Sequence, residues 1–169
     1  VSFLNIIANN FLPLNRALCV KEYALNIEYV TKLNNNDWSE LSALYKDAGL
    51  GYKTVERLEC VFGNSEYQSF LYIEGQLVGA ARAFTDGGDC AIVCDVSILK
   101  IYQSRGLGKK LVRHLMSQIP PHERVMLFCT PGLEQYYEEF EFGFGKMTTG
   151  MCMFKDQKDA ISSGYIVSA

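Results

Sequence analysis

The segment Gln103-Ser104-Arg105-Gly106-Leu107-Gly108-Lys109-Lys110 pairs two glycines with three cations, a combination suited to holding an anion on main-chain amides. Gly106 and Gly108 lack a Cβ, so a phosphate can approach N–H groups closely. At the start of a helix those N–H groups have no intrahelical partner and lie at the positive end of its dipole. The flanking residues predict that setting. Ala91 to Leu99 is rich in β-branched types and reads as a largely buried strand. After the glycines, Leu107, Leu111, Val112, Leu115 and Ile119 fall on one helical face, with Lys109, Lys110, Arg113 and Ser117 on the other. Two rival phosphate loops fail on spacing. G-x-G-x-x-G needs a third glycine where Leu111 stands, and no G-x-x-x-x-G-K-[ST] occurs.

Other reactive side chains carry weaker signals. Leu133, Tyr136, Tyr137 and Phe140 form an i, i+3, i+4, i+7 stripe that core packing alone explains. Cys94 and Cys129 fall on expected strands, where cysteine commonly serves as a small apolar residue, and no histidine is placed by sequence to activate either. The six cysteines include no C-x-x-C pair, and a chain with this much core has little need of disulfides. His114 and His122, the only histidines, show no zinc-ligand spacing, so no metal is expected, and His114 reads as exposed.

With 169 residues, 49% of them hydrophobic, the chain predicts one domain with a substantial core. A net charge of −3 argues against nucleic acid as a partner. The stretch from Phe3 to Val20 is broken by asparagines, Pro13 and Arg16 and lacks a positive leader region, so no membrane partner is expected and the chain reads as soluble and cytosolic. Residues 1–24 read as an arm without assigned chemistry, 25–155 as the domain, and 156–169 as a tail.

Along the domain the pattern predicts a strand at Leu25–Thr31 and a helix capped by Asn36 or Asp37, with Trp38, Leu41, Leu44 and Tyr45 inward. A second helix begins near Thr54. Strands at Tyr67–Ile73 and Leu77–Phe84 are joined by Glu74-Gly75-Gln76, and Asp86-Gly87-Gly88-Asp89 turns the chain into the strand ending at Leu99. After the glycine loop and its helix come Pro120-Pro121, a strand at Val125–Cys129, a short helix from Pro131-Gly132 through Phe140, and a final strand pair between Phe142 and Phe154. The order β-α-α-β-β-β-α-β-α-β-β implies an α/β (α+β) fold, a mixed, mostly antiparallel sheet with helices on both faces.

This order, together with Gln103-Ser104-Arg105-Gly106-Leu107-Gly108, resembles the GNAT superfamily of acyl-CoA-dependent N-acetyltransferases, whose signature is Q/R-x-x-G-x-G/A. Glu134 to Phe142 is similar to the family's aromatic-Tyr-x-x-Leu/Phe-Gly-Phe segment, although Glu141 replaces the usual glycine and Lys100 a common proline upstream. The likeness runs from about residue 26 to 155. It implies that acetyl-CoA lies in a splay between two parallel strands, with pantetheine along Val96, Ser97 and Ile98. Gln103 would head this groove, and the pyrophosphate would sit on the amides of Ser104, Arg105, Gly106, Leu107, Gly108 and Lys109. Arg105 and Lys109 would add charge.

The same resemblance assigns Tyr137 as the acid that protonates the leaving thiolate, with Tyr136 in reserve. It implies transfer of acetyl to a primary amine of a small molecule or peptide by direct attack in a ternary complex, and a possible homodimer. A non-catalytic acyl-CoA sensor is the alternative, against which Tyr137 weighs. On the acceptor side, Asp95 and Glu138 are candidates for drawing in an ammonium ion, along with Asp86, Asp89, Glu134, Glu139 and Glu141. Their competing reading is a solvated surface.

Overall fold

The computed structural model describes residues 25–33, 37–121, 124–140, 144–145 and 157–162. The first strand, β1 (Ile27–Val30), is followed by helices α1 (Trp38–Ala48) and α2 (Val55–Gly63). Then come β2 (Tyr67–Ile73), β3 (Gln76–Thr85) and β4 (Cys90–Ile98), a single 3-10 turn at Lys100–Tyr102, and α3 (Leu107–Met116). Strand β5 (Arg124–Leu127), α4 (Glu134–Glu138) and α5 (Gln157–Ser162) complete the described elements. The five strands form one sheet in chain order, antiparallel from β1 to β4, with β5 parallel to β4. The predicted mixed, mostly antiparallel sheet is therefore present. The arm at 1–24 and, apart from residues 144–145, the expected strand pair between Phe142 and Phe154 lie outside the described residues.

Strand alternation sends neighbouring side chains into two cores. Phe70, Tyr72 and Ala80 face Leu41, Leu44, Tyr45, Leu58 and Phe62 of α1 and α2. Leu71, Ile73, Ala81 and Ala83 face Leu107, Leu111 and Leu115 of α3. Because both faces are covered, Phe70 to Ile73 are buried without a break. Small residues along β3 bring its neighbours close: a Cβ at Gly79 would fall 2.5 Å from Ile98 Cδ1 and 3.3 Å from Leu71 Cβ.

Helix ends follow local chemistry. Thr54 caps α2, its hydroxyl accepting from Arg57 N at 3.3 Å. Asp37 precedes α1 as expected but makes no side-chain cap bond, because its carboxylate takes the Tyr72 hydroxyl instead. The helix predicted through Ile119 ends at Met116. Gln118 N and Ile119 N turn to the carbonyls of Leu115 and Met116, tightening the chain ahead of Pro120 while Ile119 stays in the core.

Candidate functional site

The site is built where β4 outruns β5. The two strands pair from Cys90 with Arg124 to Val93 with Leu127; β5 then ends and β4 continues to Ile98. Among the described residues, the β5-facing edge of Cys94 to Ile98 therefore has no strand partner. The register with β3 also slips here. Arg82 faces Cys94 and Ala80 faces Ser97, so Asp95 and Val96 together oppose Ala81. This bulge takes Asp95 to φ 55°, a left-handed conformation that aspartate tolerates better than most residues. Ser97 is buried and its hydroxyl donates to Ala80 O at 3.1 Å, fixing the strand beyond the bulge.

The end of β4 is tied to the glycine loop. Leu99 N donates to Val78 O at 2.9 Å, and the Gln103 side-chain amide donates to Ile98 O at 2.9 Å. The loop then passes through left-handed Ser104 (φ 58°) and Gly106 (φ 74°) into α3. Gly106 stands at the N-cap and offers no side-chain cap, while Lys110 N closes the first turn on Gly106 O at 3.3 Å. The first-turn amides are thus left without a capping side chain beside the open β4 edge, a donor set that fits a phosphate. Around it, the Arg105 guanidinium stacks 5.6 Å from the Tyr102 ring, and Lys109 Nζ lies 2.7 Å from Glu139 Oε2.

Short helix α4 packs over this helix start. A Cβ at Gly108 would lie 2.7 Å from Tyr136 Oη and 3.7 Å from Ile98 Cγ1, so the glycine lets the phenol, the strand end and α3 meet. Burial raises the Tyr136 pKa. Tyr137 is half-buried, stacks on Phe140 and meets Phe144 edge-on. Burial first, then the neighbouring Tyr136 and Cys129, pushes its phenol up to about 12, so it stays protonated throughout the neutral range. Burial likewise raises the Cys94 thiol, which lowers its readiness as a nucleophile.

The acidic residues named from sequence have diverse local commitments. Asp86 accepts three bonds from its own turn, from Gly88 N, Asp89 N and Cys90 N at 3.0, 2.9 and 3.1 Å, and these hold its carboxyl at about 2, with the Cys90 amide contributing most. Glu134 accepts from Gly132 N at 2.8 Å, and the hydrogen bond from Lys109 holds Glu139 below its usual range. Glu138 and Asp89 are exposed, and Glu141 lies outside the described residues. Asp95 is half-buried, with Oδ2 2.7 Å from Arg82 Nε and Oδ1 3.2 Å from Lys53 Nζ. Burial acts to raise its pKa, but the two cations outweigh it and hold the carboxyl below the ordinary aspartate value.

Sequence reasoning missed Arg82, Lys53 and Tyr45. Arg82 had a signal, being a lone charge inside the apolar run Leu77 to Phe84; such a residue on a buried strand requires a partner. Lys53, from the loop between α1 and α2, had none. Tyr45 was expected in the core, where it is fully buried, but its hydroxyl also lies in the field of Asp95 and Arg82. His114, expected to be exposed, is half-buried, with Nδ1 2.7 Å from the hydroxyl of buried Ser69 on β2. Among the described residues, no group of three or more His, Cys, Asp or Glu side chains is placed to hold a metal ion, and no helix is long and apolar enough to cross a membrane.

The sequence pattern of the Acetyltransferase (GNAT) family matches residues 30–144, which contain every strand of the sheet except the first three residues of β1. An uncharacterized N-acetyltransferase, ycf52-like, of Prochlorococcus marinus is 30% identical over 108 residues, 60% of this chain and 60% of the relative. An uncharacterized N-acetyltransferase, ycf52, of Pyropia yezoensis is 28% identical over 120 residues, 68% of this chain and 69% of that protein. A crystal structure of a protein of unknown function from Staphylococcus aureus, described as a "Probable Acetyltransferase", superposes with a TM-score of 0.68 at 25% identity, covering 78% of this chain and all of the other.

Proposed function

This chain belongs to the GNAT family of acetyltransferases, and on that premise we propose that it transfers an acetyl group from acetyl-CoA to a primary amine by direct attack in a ternary complex. The observation that carries this reading is the unpartnered β4 edge from Cys94 to Ile98, which leads directly into the uncapped start of α3. In the proposal, Val96, Ser97 and Ile98 hold pantetheine as an added strand would be held. The amides from Ser104 to Lys109 hold the pyrophosphate, with Arg105 beside it. Lys109 serves the anion by exchanging its exposed partner Glu139.

Few chemical demands then remain. A β4 amide near Val96 polarises the thioester carbonyl, and the bulge sets its direction. Asp95, kept ionised by Arg82 and Lys53, faces the acceptor ammonium, with Glu138 on the exposed rim. The amine must lose a proton to water before it attacks. Tyr137, protonated because its pKa stands at about 12, gives its proton to sulfur as the carbon–sulfur bond breaks. Cys94 is not used as an acyl carrier, since burial holds its thiol protonated and the neighbouring Asp95 carboxylate is committed to Arg82 and Lys53.

Two measurements test the reading. Calorimetry with acetyl-CoA should show binding at the 1:1 ratio of a single groove, and a thiol-release screen over a panel of amines should find turnover. Binding without turnover on any amine would favour an acyl-CoA sensor, and no binding at millimolar acetyl-CoA would remove both.

A further inference from the structure

Asp95 is the centre of a charge cluster that acetyl transfer as such does not require. Two cations share its one carboxylate, so these three side chains together carry one excess positive charge. The two pairs are unequal. Arg82 is built into the sheet: its side chain is 14% exposed, Nε lies 2.7 Å from Asp95, and Nη1 donates to Ser65 Oγ at 3.1 Å. Lys53 reaches in from a loop, is 27% exposed, and holds Asp95 at 3.2 Å. Lys53 is therefore the partner more readily exchanged. Its Nζ also stands 4.7 Å from the ring centroid of Tyr45. That tyrosine is fully buried, and its hydroxyl makes no hydrogen bond among the described residues. A buried hydroxyl without a partner is costly; this one lies in the field of Asp95 and Arg82, with the Lys53 ammonium over its ring.

We propose that the acceptor is a zwitterionic small molecule, an amine that also bears a carboxylate or phosphate, and that it inserts between Lys53 and Asp95. Its anionic group takes Lys53 and the Tyr45 hydroxyl, and its ammonium takes the Asp95 oxygen that Lys53 gives up. The inference rests on the acetyltransferase reading and names the acceptor class for that same site. A simple amine would bring a third cation to a single carboxylate, whereas a zwitterion adds no net charge and leaves each cation with an anion. Transfer then forms the nitrogen–carbon bond and breaks the carbon–sulfur bond. Two protons leave nitrogen, sulfur takes one from Tyr137, which is reprotonated from solvent, and one net proton is released.

The test uses matched probes on the full chain, β-alanine against n-propylamine and 2-aminoethyl phosphate against ethanolamine, by calorimetry with and without CoA. The anionic member of each pair should bind at least about tenfold more tightly, the scale of one charge-assisted contact. Lys53→Met should bring each pair to parity, and Lys53→Arg should retain the preference. Equal or tighter binding of the uncharged-tail probes, a preference that survives Lys53→Met, or no binding by any probe overturns the proposal. Thiol release from acetyl-CoA with the same amines separates the two readings. Turnover of n-propylamine as fast as β-alanine leaves the acetyltransferase standing and the zwitterion site refuted. Selective binding with no thiol release does the reverse.

Discussion

Asp95 reaches Arg82 at 2.7 Å only because its backbone is left-handed. Arg82 and Cys94 are register partners and share a face of the sheet, so the next residue of an unbroken strand would point away from both. The bulge brings Asp95 round to that face and, in the same step, breaks the regular course of β4 where β5 ends. One local irregularity thus places the charge cluster and accompanies the open edge.

Asp95→Asn should preserve the left-handed turn while leaving Arg82 and Lys53 without their counter-ion. For groups this well covered, we expect a loss of about 2 to 4 kcal/mol in urea unfolding at neutral pH. Because the Asp95 carboxyl titrates below its ordinary value, its contribution is present above about pH 4 and lost as pH falls through the depressed value. The gap between wild type and variant should narrow in that acid range. A constant gap at all pH values would mean that the ion pairs contribute nothing.

His114 supplies a second pH dependence. Burial lowers its pKa, and Nδ1 is engaged with Ser69 Oγ at 2.7 Å. A depressed histidine favours the folded state fully above about pH 6.5, and that advantage fades as pH falls toward the folded value. Proton NMR of the two histidines should show one midpoint below 6.5 that disappears in His114→Gln. The same variant should flatten the decline in melting temperature between pH 6.5 and 5. A His114 midpoint above 6.5 would contradict the packing.

Much of this was legible from residue order because hydrophobic period and turn chemistry act locally. The Gln103 to Lys110 loop, the hairpin at Glu74-Gly75-Gln76 and the inward faces of α1 and α3 follow from spacing alone. What escaped depends on pairing across the sheet. The bulge at Asp95 exists only relative to β3, and Lys53 meets Asp95 across 42 residues of chain. His114 looked exposed among polar helix neighbours, yet it lies over β2, where Ser69 awaits it. A helix pattern shows which face is apolar but not which polar residue at its border finds a buried partner.

Gly106 and Gly108 should fail for different reasons. Gly106 has open space around a Cβ but φ 74°, so Gly106→Ala should cost about 1 to 2 kcal/mol of backbone strain. Gly108→Ala instead meets Tyr136 Oη, and Tyr136→Phe removes that atom. A double-mutant cycle in urea should therefore show a positive coupling of about 0.5 kcal/mol or more between these two contacting residues. Acetyl-CoA affinity should fall in Gly108→Val on either background. Affinity that recovers fully with Tyr136→Phe would assign the glycine to packing on α4 rather than to the anion.

Tyr137 offers the most direct test of the chemistry. Its ring is held by Phe140 and Phe144, so Tyr137→Phe keeps that packing and removes the proton proposed to pass to sulfur. With chemistry limiting, kcat should fall by roughly 10²- to 10⁴-fold, the ordinary range for a general acid, while KM for acetyl-CoA changes little. Wild-type kcat should rise with pH as the amine deprotonates and should not decline before alkaline unfolding, because the acid ionises only near 12. Ultraviolet difference titration should find one tyrosine with that high midpoint, missing in the variant. Its raised value adds stability that is complete below about pH 10 and disappears as pH climbs toward 12. An unchanged kcat in Tyr137→Phe, with a large fall in Tyr136→Phe, would transfer the role to the neighbouring phenol over Gly108; unchanged rates in both would leave protonation of sulfur to water.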